Sequence, residues 1–275
     1  MILRTHKPAF PLNNFIENLV FFDGPGTTHN LDRFLPDGNT EIIIDLTEKP
    51  QHIYDNETLQ EIQTCRDAWV SGIRTRPITI PSGKGSRMLI VAFKNGKAFP
   101  FYPFPMSELT DTVTGADLIF GREFSHLREQ LLSARSINRM FELVKAFLLR
   151  QAGDALCEDV FARCIDYALF KIVNRPDLRC LHQLSDEIGY SQKHFIQLFR
   201  EQVGVTPKPY LRIMRFQKAV RAIENSQFVR WSPIALECGY YDQAHFIHEF
   251  KLFSGFTPNE YVKRKTSLLN YVPVD

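Results

Sequence analysis

The stretch Leu184-Ser-Asp-Glu-Ile-Gly-Tyr-Ser-Gln-Lys-His-Phe-Ile-Gln-Leu-Phe199, followed by Gly204-Val-Thr-Pro207 and Tyr210, is written twice in this chain. Its second copy is Ile234-Ala-Leu-Glu-Cys-Gly-Tyr-Tyr-Asp-Gln-Ala-His-Phe-Ile-His-Glu-Phe250, then Gly255-Phe-Thr-Pro258 and Tyr261. Gly189 and Gly239 lie 50 residues apart, whereas Phe199/Phe250, Pro207/Pro258 and Tyr210/Tyr261 lie 51 apart, so the second copy carries one extra residue in its turn. Two copies are too few for a solenoid, which needs about three repeats to bury a core. The repeat reads as a duplicated small module. In each copy a short apolar segment runs into a Gly that supplies a left-handed turn. An N-cap residue follows, Ser191 or Asp242, and then a helix. Phe195, Leu198 and Phe199 give the first of these helices a buried stripe; Phe246 and Phe250 do so in the second, where Glu249 is the polar exception.

Helix, short Gly turn, helix is the helix-turn-helix plan, whose second helix fits the major groove of DNA. The units span about 181–202 and 232–253. Thr206 and Pro207 start a linker helix that runs to about Asn225, with Pro207 at the first helical position, where its missing N–H is harmless. The pattern Ile234-Ala…Gly239-Tyr-x-Asp-x-x-His-Phe-x-x-x-Phe-Lys251…Gly255-x-Thr-Pro-x-x-Tyr261 resembles the C-terminal signature of AraC-type (AraC/XylS) transcription regulators, and the first copy resembles their first helix-turn-helix. Two departures are visible: Ser185 stands where that family has Ala, and Val262 where a basic residue is common. The resemblance implies that Gln192, Lys193, Ile196 and Gln197, with Gln243, Ala244, Ile247 and His248, reach base edges. Gln can pair with adenine, Lys can donate to guanine, and Ile or Ala can touch a thymine methyl. The bland alternative is an ordinary solvated helix face. Ser191, Lys208, Arg212 and Lys251 are candidates for phosphate contact, against the alternative of solvated charges and internal ion pairs. Arg215 reads as structural, paired with Asp186 or Glu187.

The length of 275 residues suggests two domains. The expectation is an α+β chain: a β-rich domain over 1–152 with helices from about 107, and an all-helical DNA-binding domain over 153–275. The formal charge is +2, so the chain is no polycation; from Pro176 onward 13 Lys/Arg face 10 Asp/Glu, the sign expected for a DNA partner. No apolar run approaches a membrane helix of about 18 residues, and the N-terminus lacks a signal-peptide pattern, so the expected setting is the bacterial cytoplasm. Five cysteines without CxxC spacing argue against a disulfide framework or a zinc finger. Cys157 and Cys164 read as small core residues on one helix face, and Cys65 beside Arg66 is weighed as a reactive thiol and set aside.

Residues 1–105 alternate apolar runs with turns: Asn18–Phe22, Glu41–Leu46, Ala68–Val70, and Met88–Phe93 running into Asn95-Gly96, a strong hairpin signal. Gly83-Lys-Gly85-Ser reads as a hairpin turn and lacks the frame of a phosphate loop. Arg122–Leu132, Ile137–Arg150 and Glu158–Val173 have helical periodicity. Pro36-Asp-Gly-x-x-Glu-Ile-Ile-Ile, Gly72-Ile-Arg-Thr and Val91-Ala-Phe-Lys-x-Gly96-x-Ala98 resemble the N-terminal domain of one AraC-type subgroup, which implies a sensor or dimerisation role. Phe99, Phe101, Tyr102 and Phe104, with Trp69 near Arg74 and Arg76, could line a ligand pocket or simply build a core. His245 and His248 lie three apart, but no third ligand is near, so no metal and no cofactor is expected. The expected function is that of a non-enzymatic transcription regulator that binds double-stranded DNA. A small-molecule effector, a homodimer paired through the helices around 122–150, and contact with RNA polymerase complete the expectation. The alternatives are an N-terminal domain that binds a protein partner only, and a β-barrel enzyme with a DNA-binding tail.

Overall fold

The computed structural model describes residues 2–24, 29–156, 160–176, 182–226 and 228–274. Cys157, Cys180, Leu181 and the expected start of a helix at Glu158 lie outside them. The strands are β1 (Ile2–His6), β2 (Ile16–Asp23), β3 (Leu31–Phe34), β4 (Glu41–Asp45), β5 (Gln51–Tyr54), β6 (Glu61–Cys65), β7 (Ala68–Ser71), β8 (Ile78–Pro81), β9 (Arg87–Phe93), β10 (Val113–Gly115) and β11 (Tyr271–Pro273). They form two antiparallel sheets in the orders β1-β2-β9-β4-β7-β10 and β11-β3-β8-β5-β6.

Alternation along a strand sends neighbouring side chains to opposite faces. On β4, Ile42 and Ile44 join a core with Val70, Leu89, Val91 and Phe93, while Glu41 and Ile43 point between the sheets. Helices α1 (Ala116–Phe120), α2 (Arg122–Leu132) and α3 (Ile137–Ala152) close the outer face of the first sheet. Their stripes Phe124, Leu127, Leu131 and Phe141, Val144, Phe147, Leu148 are buried in that same core. The amphipathicity read as a pairing surface is thus used within the chain.

Two turn readings are corrected. Gly96 takes the left-handed φ of +69°, but the chain after Asn95-Gly96 enters a short 3-10 helix at Phe99–Phe101 instead of returning as a strand. The Asn95 amide donates to the Asp37 carbonyl at 3.0 Å, a tertiary use of a residue that reads as turn chemistry. The Gly83–Gly85 turn joins β8 to β9, which belong to different sheets, so it crosses between layers and makes no hairpin.

The C-terminal helices are α4 (Val160–Asn174), α5 (His182–Ile188), α6 (Gln192–Val203), α7 (Pro207–Glu224), α8 (Trp231–Glu237), α9 (Gln243–Ser254) and α10 (Pro258–Arg264). Their core includes Leu35 and Ile73 from the β-rich part, so the two parts share buried surface. Gly38 adopts φ +86°, and a Cβ there would lie 2.5 Å from Met214 Cε of α7. Thr110 donates to the Gly204 carbonyl at 2.7 Å. The last strand, β11, follows the helical domain and pairs with β3 in the second sheet, Tyr271 opposite Phe34.

Gln217, 2% exposed on α7, donates to the Pro36 carbonyl at 2.7 Å and to Asn270 Oδ1 at 3.0 Å. Gln217→Leu strands two buried acceptors, and each such loss costs about 1–3 kcal/mol. Urea unfolding is expected to register a destabilisation of that order; an unchanged midpoint would mean that water replaces the amide at no cost.

Candidate nucleic-acid interface and inter-sheet cavity

Helix α6 is fixed at its start by Ser191, whose hydroxyl accepts from the His194 N–H at 3.3 Å, and at its end by Gly204 with φ +100°. In α9 the Asp242 carboxylate accepts from the His245 N–H at 2.7 Å, and Gly255 ends the helix with φ +77°. Phe195 and Phe199 are buried beneath α6, Phe246 and Phe250 beneath α9. The opposite faces are open: Gln192, Lys193 and Gln197 are exposed on α6, as are Gln243, Ala244 and His248 on α9. Ile196 and Ile247 sit differently from the exposed positions expected of them. Both are half-buried, and Ile247 packs against the helical core. Ser232 donates to Gln243 Oε1 at 2.7 Å, which orients that amide at the surface.

Among the candidates for phosphate contact, Ser191, Lys208 and Lys251 are exposed. Arg212 has an internal partner: its Nε and Nη2 donate to the two carboxylate oxygens of Glu249 at 2.8 and 2.7 Å, and its guanidinium lies 5.4 Å from the Phe253 ring centre. This explains the polar exception in the apolar stripe of α9, because Glu249 is the buried half of a bidentate pair. Arg215 donates to the Pro176 carbonyl at 2.7 Å, a structural role, while Glu187 accepts from Tyr167 and lies 3.3 Å from Lys171 Nζ. The His245 ring accepts from the Tyr241 N–H at 3.3 Å, and no group of three or more metal-capable side chains converges among the described residues.

The extra residue of the second copy is Tyr241. It stands 86% exposed at the turn leading into α9, while its neighbour Tyr240 is buried. Sequence reasoning counted the insertion without asking which tyrosine it expelled. Phe228 is exposed as well, in the segment before α8.

A cavity of about 340 Å³ lies between the two sheets. Its walls come from alternate residues of the inward faces, among them Phe34, Ile43, Trp69, Ile90 and Tyr271, with Glu41 as a charged member. The aromatic run weighed from sequence between a pocket and a core takes the second role: Phe101 and Tyr102 are buried in the core beneath the helices, with Phe99 and Phe104 packed against it. Trp69 does line the cavity, whereas Arg74 donates to the carbonyls of Asp111 and Thr112. Cys65 is buried, and burial pushes its thiol up to about 11, away from thiolate reactivity.

Residues 184–264 match the family described as a helix-turn-helix domain. The C-terminal part of this chain is a helix-turn-helix domain of the AraC type. Residues 4–115 match a family described as a domain of unknown function (DUF6597). An uncharacterized HTH-type transcriptional regulator of Haemophilus influenzae is 32% identical over 100 residues, 36% of this chain and 33% of that protein. The HTH-type transcriptional activator RhaR of Escherichia coli is 33% identical over 81 residues, 30% of this chain and 28% of its own length. The chain thus spans about a third of the length of the curated relatives it matches. Among solved structures, ToxT of Vibrio cholerae aligns over 89% of this chain and 97% of its own, at 13% identity and a TM-score of 0.45. No helix among the described residues is long and apolar enough to cross a membrane.

Within the helix-turn-helix domain the Arg212–Glu249 pair has a pH signature. Burial alone would raise the Glu249 carboxyl; the hydrogen bonds and charge of Arg212 outweigh it, so the net displacement is downward. A depressed carboxyl stabilises the fold above its unfolded value and loses that contribution as pH falls through the folded one. Glu249→Gln is expected to lower stability at neutral pH by about 1–3 kcal/mol. The deficit should shrink as urea unfolding is repeated below the ordinary Glu value of about 4.3. A deficit independent of pH would assign the loss to packing instead.

Proposed function

We propose that the protein is a sequence-specific DNA-binding transcription regulator whose helices α6 and α9 read two successive major grooves. The observation that carries this reading is the pair of N-capped helices with buried Phe stripes and open polar faces, both packed on the single helix α7. Such a mount suits grooves about one helical turn, roughly 34 Å, apart. Gln192, Lys193, Ile196, Gln197, Gln243, Ala244, Ile247 and His248 are the proposed base-edge residues, with the half-buried isoleucines giving only their outer methyls. Ser191, Lys208 and Lys251 would touch phosphate; Arg212 would do so only with the part of its guanidinium that Glu249 leaves free. A small-molecule effector in the inter-sheet cavity is part of the reading, since a largely apolar cavity with a few polar groups is the usual form of a small-molecule site. Subunit pairing and contact with RNA polymerase belong to it too, with Leu118, 79% exposed on α1, as an apolar side chain left available.

The test is binding of the full chain to its own upstream DNA across a salt series. Gln243→Ala is expected to cost about 1–3 kcal/mol at the specific site and to leave bulk DNA binding unchanged. Lys193→Ala should do the same if it reads a base, or lower the salt slope by about 1 on all DNA if it contacts phosphate. Absence of specific binding at every salt concentration, with and without ligand, would sink the reading.

A further inference from the structure

The cavity between the sheets is apolar on nearly every side, yet β4 delivers Glu41 into it. Two residues on, Ile43 continues the same wall; directly across from Glu41 stand Ala92 on β9 and Ser71 on β7. No cation faces it from either neighbouring strand. Among the described residues no hydrogen bond or ion pair reaches its carboxyl. Burial first, and the Asp37 charge second, push that carboxyl up to about 8. Tyr271 and Asp32 line the same space, and burial first, then the charges of Glu41, Asp37 and Asp32, push the Tyr271 phenol up. No Lys or Arg is among the described lining residues, and His52, which can carry positive charge, has its Nδ1 3.1 Å from Glu61 Oε1. A carboxylate in apolar surroundings is unfavourable unless something supplies a partner for its charge. The cavity that holds this carboxyl also presents the aromatic faces of Phe34, Trp69 and Tyr271, which attract cations.

We propose that this cavity binds a compact, largely apolar amine, whose ammonium group pairs with Glu41 and whose hydrocarbon body is enclosed by Ile43, Trp69, Ile90 and Tyr271. The inference deepens the effector part of the function proposed above and rests on it for regulation, though not for binding. A volume of about 340 Å³ sets the ligand's size at the small end of molecular sites, which run from roughly 300 to 1,000 Å³. No Lys or Arg among the described lining residues offers a carboxylate ligand a charged partner, whereas an ammonium finds one in Glu41. Burial first and the Asp37 charge second favour the protonated form of the Glu41 carboxyl. An incoming ammonium favours the carboxylate, so binding forms the ion pair and releases the carboxyl proton to solvent.

Isothermal titration of the full chain at pH 7 with 2-phenylethylamine, 2-phenylethanol and 3-phenylpropanoate compares one body with three head groups. The amine is expected to bind about tenfold tighter than the alcohol, as a charge-assisted contact exceeds a neutral one, and the carboxylate weakest. Repeating the amine titration in two buffers of different ionisation enthalpy should reveal the released proton. Glu41→Gln should abolish both the amine preference and the proton release while leaving the alcohol unaffected. Equal or stronger carboxylate binding, no binding of any of the three, or an amine preference that survives Glu41→Gln would overturn the proposal. The head-group comparison uses the unaltered chain, so it decides the matter even if the variant fails to fold. No DNA is present, so failure here leaves the DNA-binding reading standing, and failure of specific DNA binding leaves this one.

Discussion

Helix α7 has core on almost every side, and the arrangement of the other elements follows from that. Tyr210, Leu211, Ile213, Met214, Phe216, Ala219, Val220 and Ile223 are all buried, which covers far more than the single stripe of a surface helix. One side receives α6 through Phe199 against Tyr210, with ring centres 5.6 Å apart. Another receives α9 through Phe216 against Phe250, at 5.1 Å. A third meets the β-rich part, where Gln217 holds the Pro36 carbonyl. The relative setting of α6 and α9 is therefore a matter of close packing, which resists small distortions because interiors are packed as densely as organic crystals.

The first sheet is covered twice as well. Antiparallel sheets commonly leave one face to solvent and so show clean alternation. Here the helical layer covers one face and the cavity lies on the other, so β4 reads Glu-Ile-Ile-Ile-Asp and β9 Arg-Met-Leu-Ile-Val-Ala-Phe, apolar runs with little alternation. Within such a run a single acidic residue on the inward face stands out chemically, since among the described residues no hydrogen bond or ion pair reaches it. Glu41 is that residue, and Glu249 on α9 is its counterexample: the same side chain, buried, but given Arg212.

What the sequence revealed was what depends on near neighbours. The caps at Ser191 and Asp242, the left-handed Gly189 and Gly239, and the buried Phe stripes are all local rules. Thr257 makes the full capping box with Glu260, which the residues Thr-Pro-Asn-Glu announce. Thr206 precedes Pro207 in the same way but makes no side-chain cap bond, because the residue three positions on is Pro209, which has no N–H to donate. Long-range features were not legible. Asn95-Gly96 is drawn to Asp37, the aromatics after Phe99 pack beneath helices instead of around the cavity, and Glu249 finds a partner 37 residues away. The cavity itself arises from two sheets facing each other, which no run of residues encodes by its own spacing.

The end of the chain connects these parts. After α10, Lys265 pairs with Glu224 at the end of α7 at 2.9 Å, and the chain then returns to the β-rich part. Asn270, held at φ +66°, gives its backbone carbonyl to the Leu35 N–H at 3.0 Å and its side-chain oxygen to Gln217 at 3.0 Å. The next residue, Tyr271, is a wall of the cavity and lies against Phe34, with ring centres 5.0 Å apart. One peptide unit thus separates the surface a ligand would touch from the hydrogen bond that holds α7. Packed side chains and hydrogen bonds can carry coupling between two sites, and here one such chain is short: cavity, Tyr271, Asn270, Gln217, α7. Helix α7, on which α6 and α9 pack, is therefore joined to a wall of the space between the sheets by Asn270 and Gln217, and the neighbouring Val272 is itself buried in the helical core.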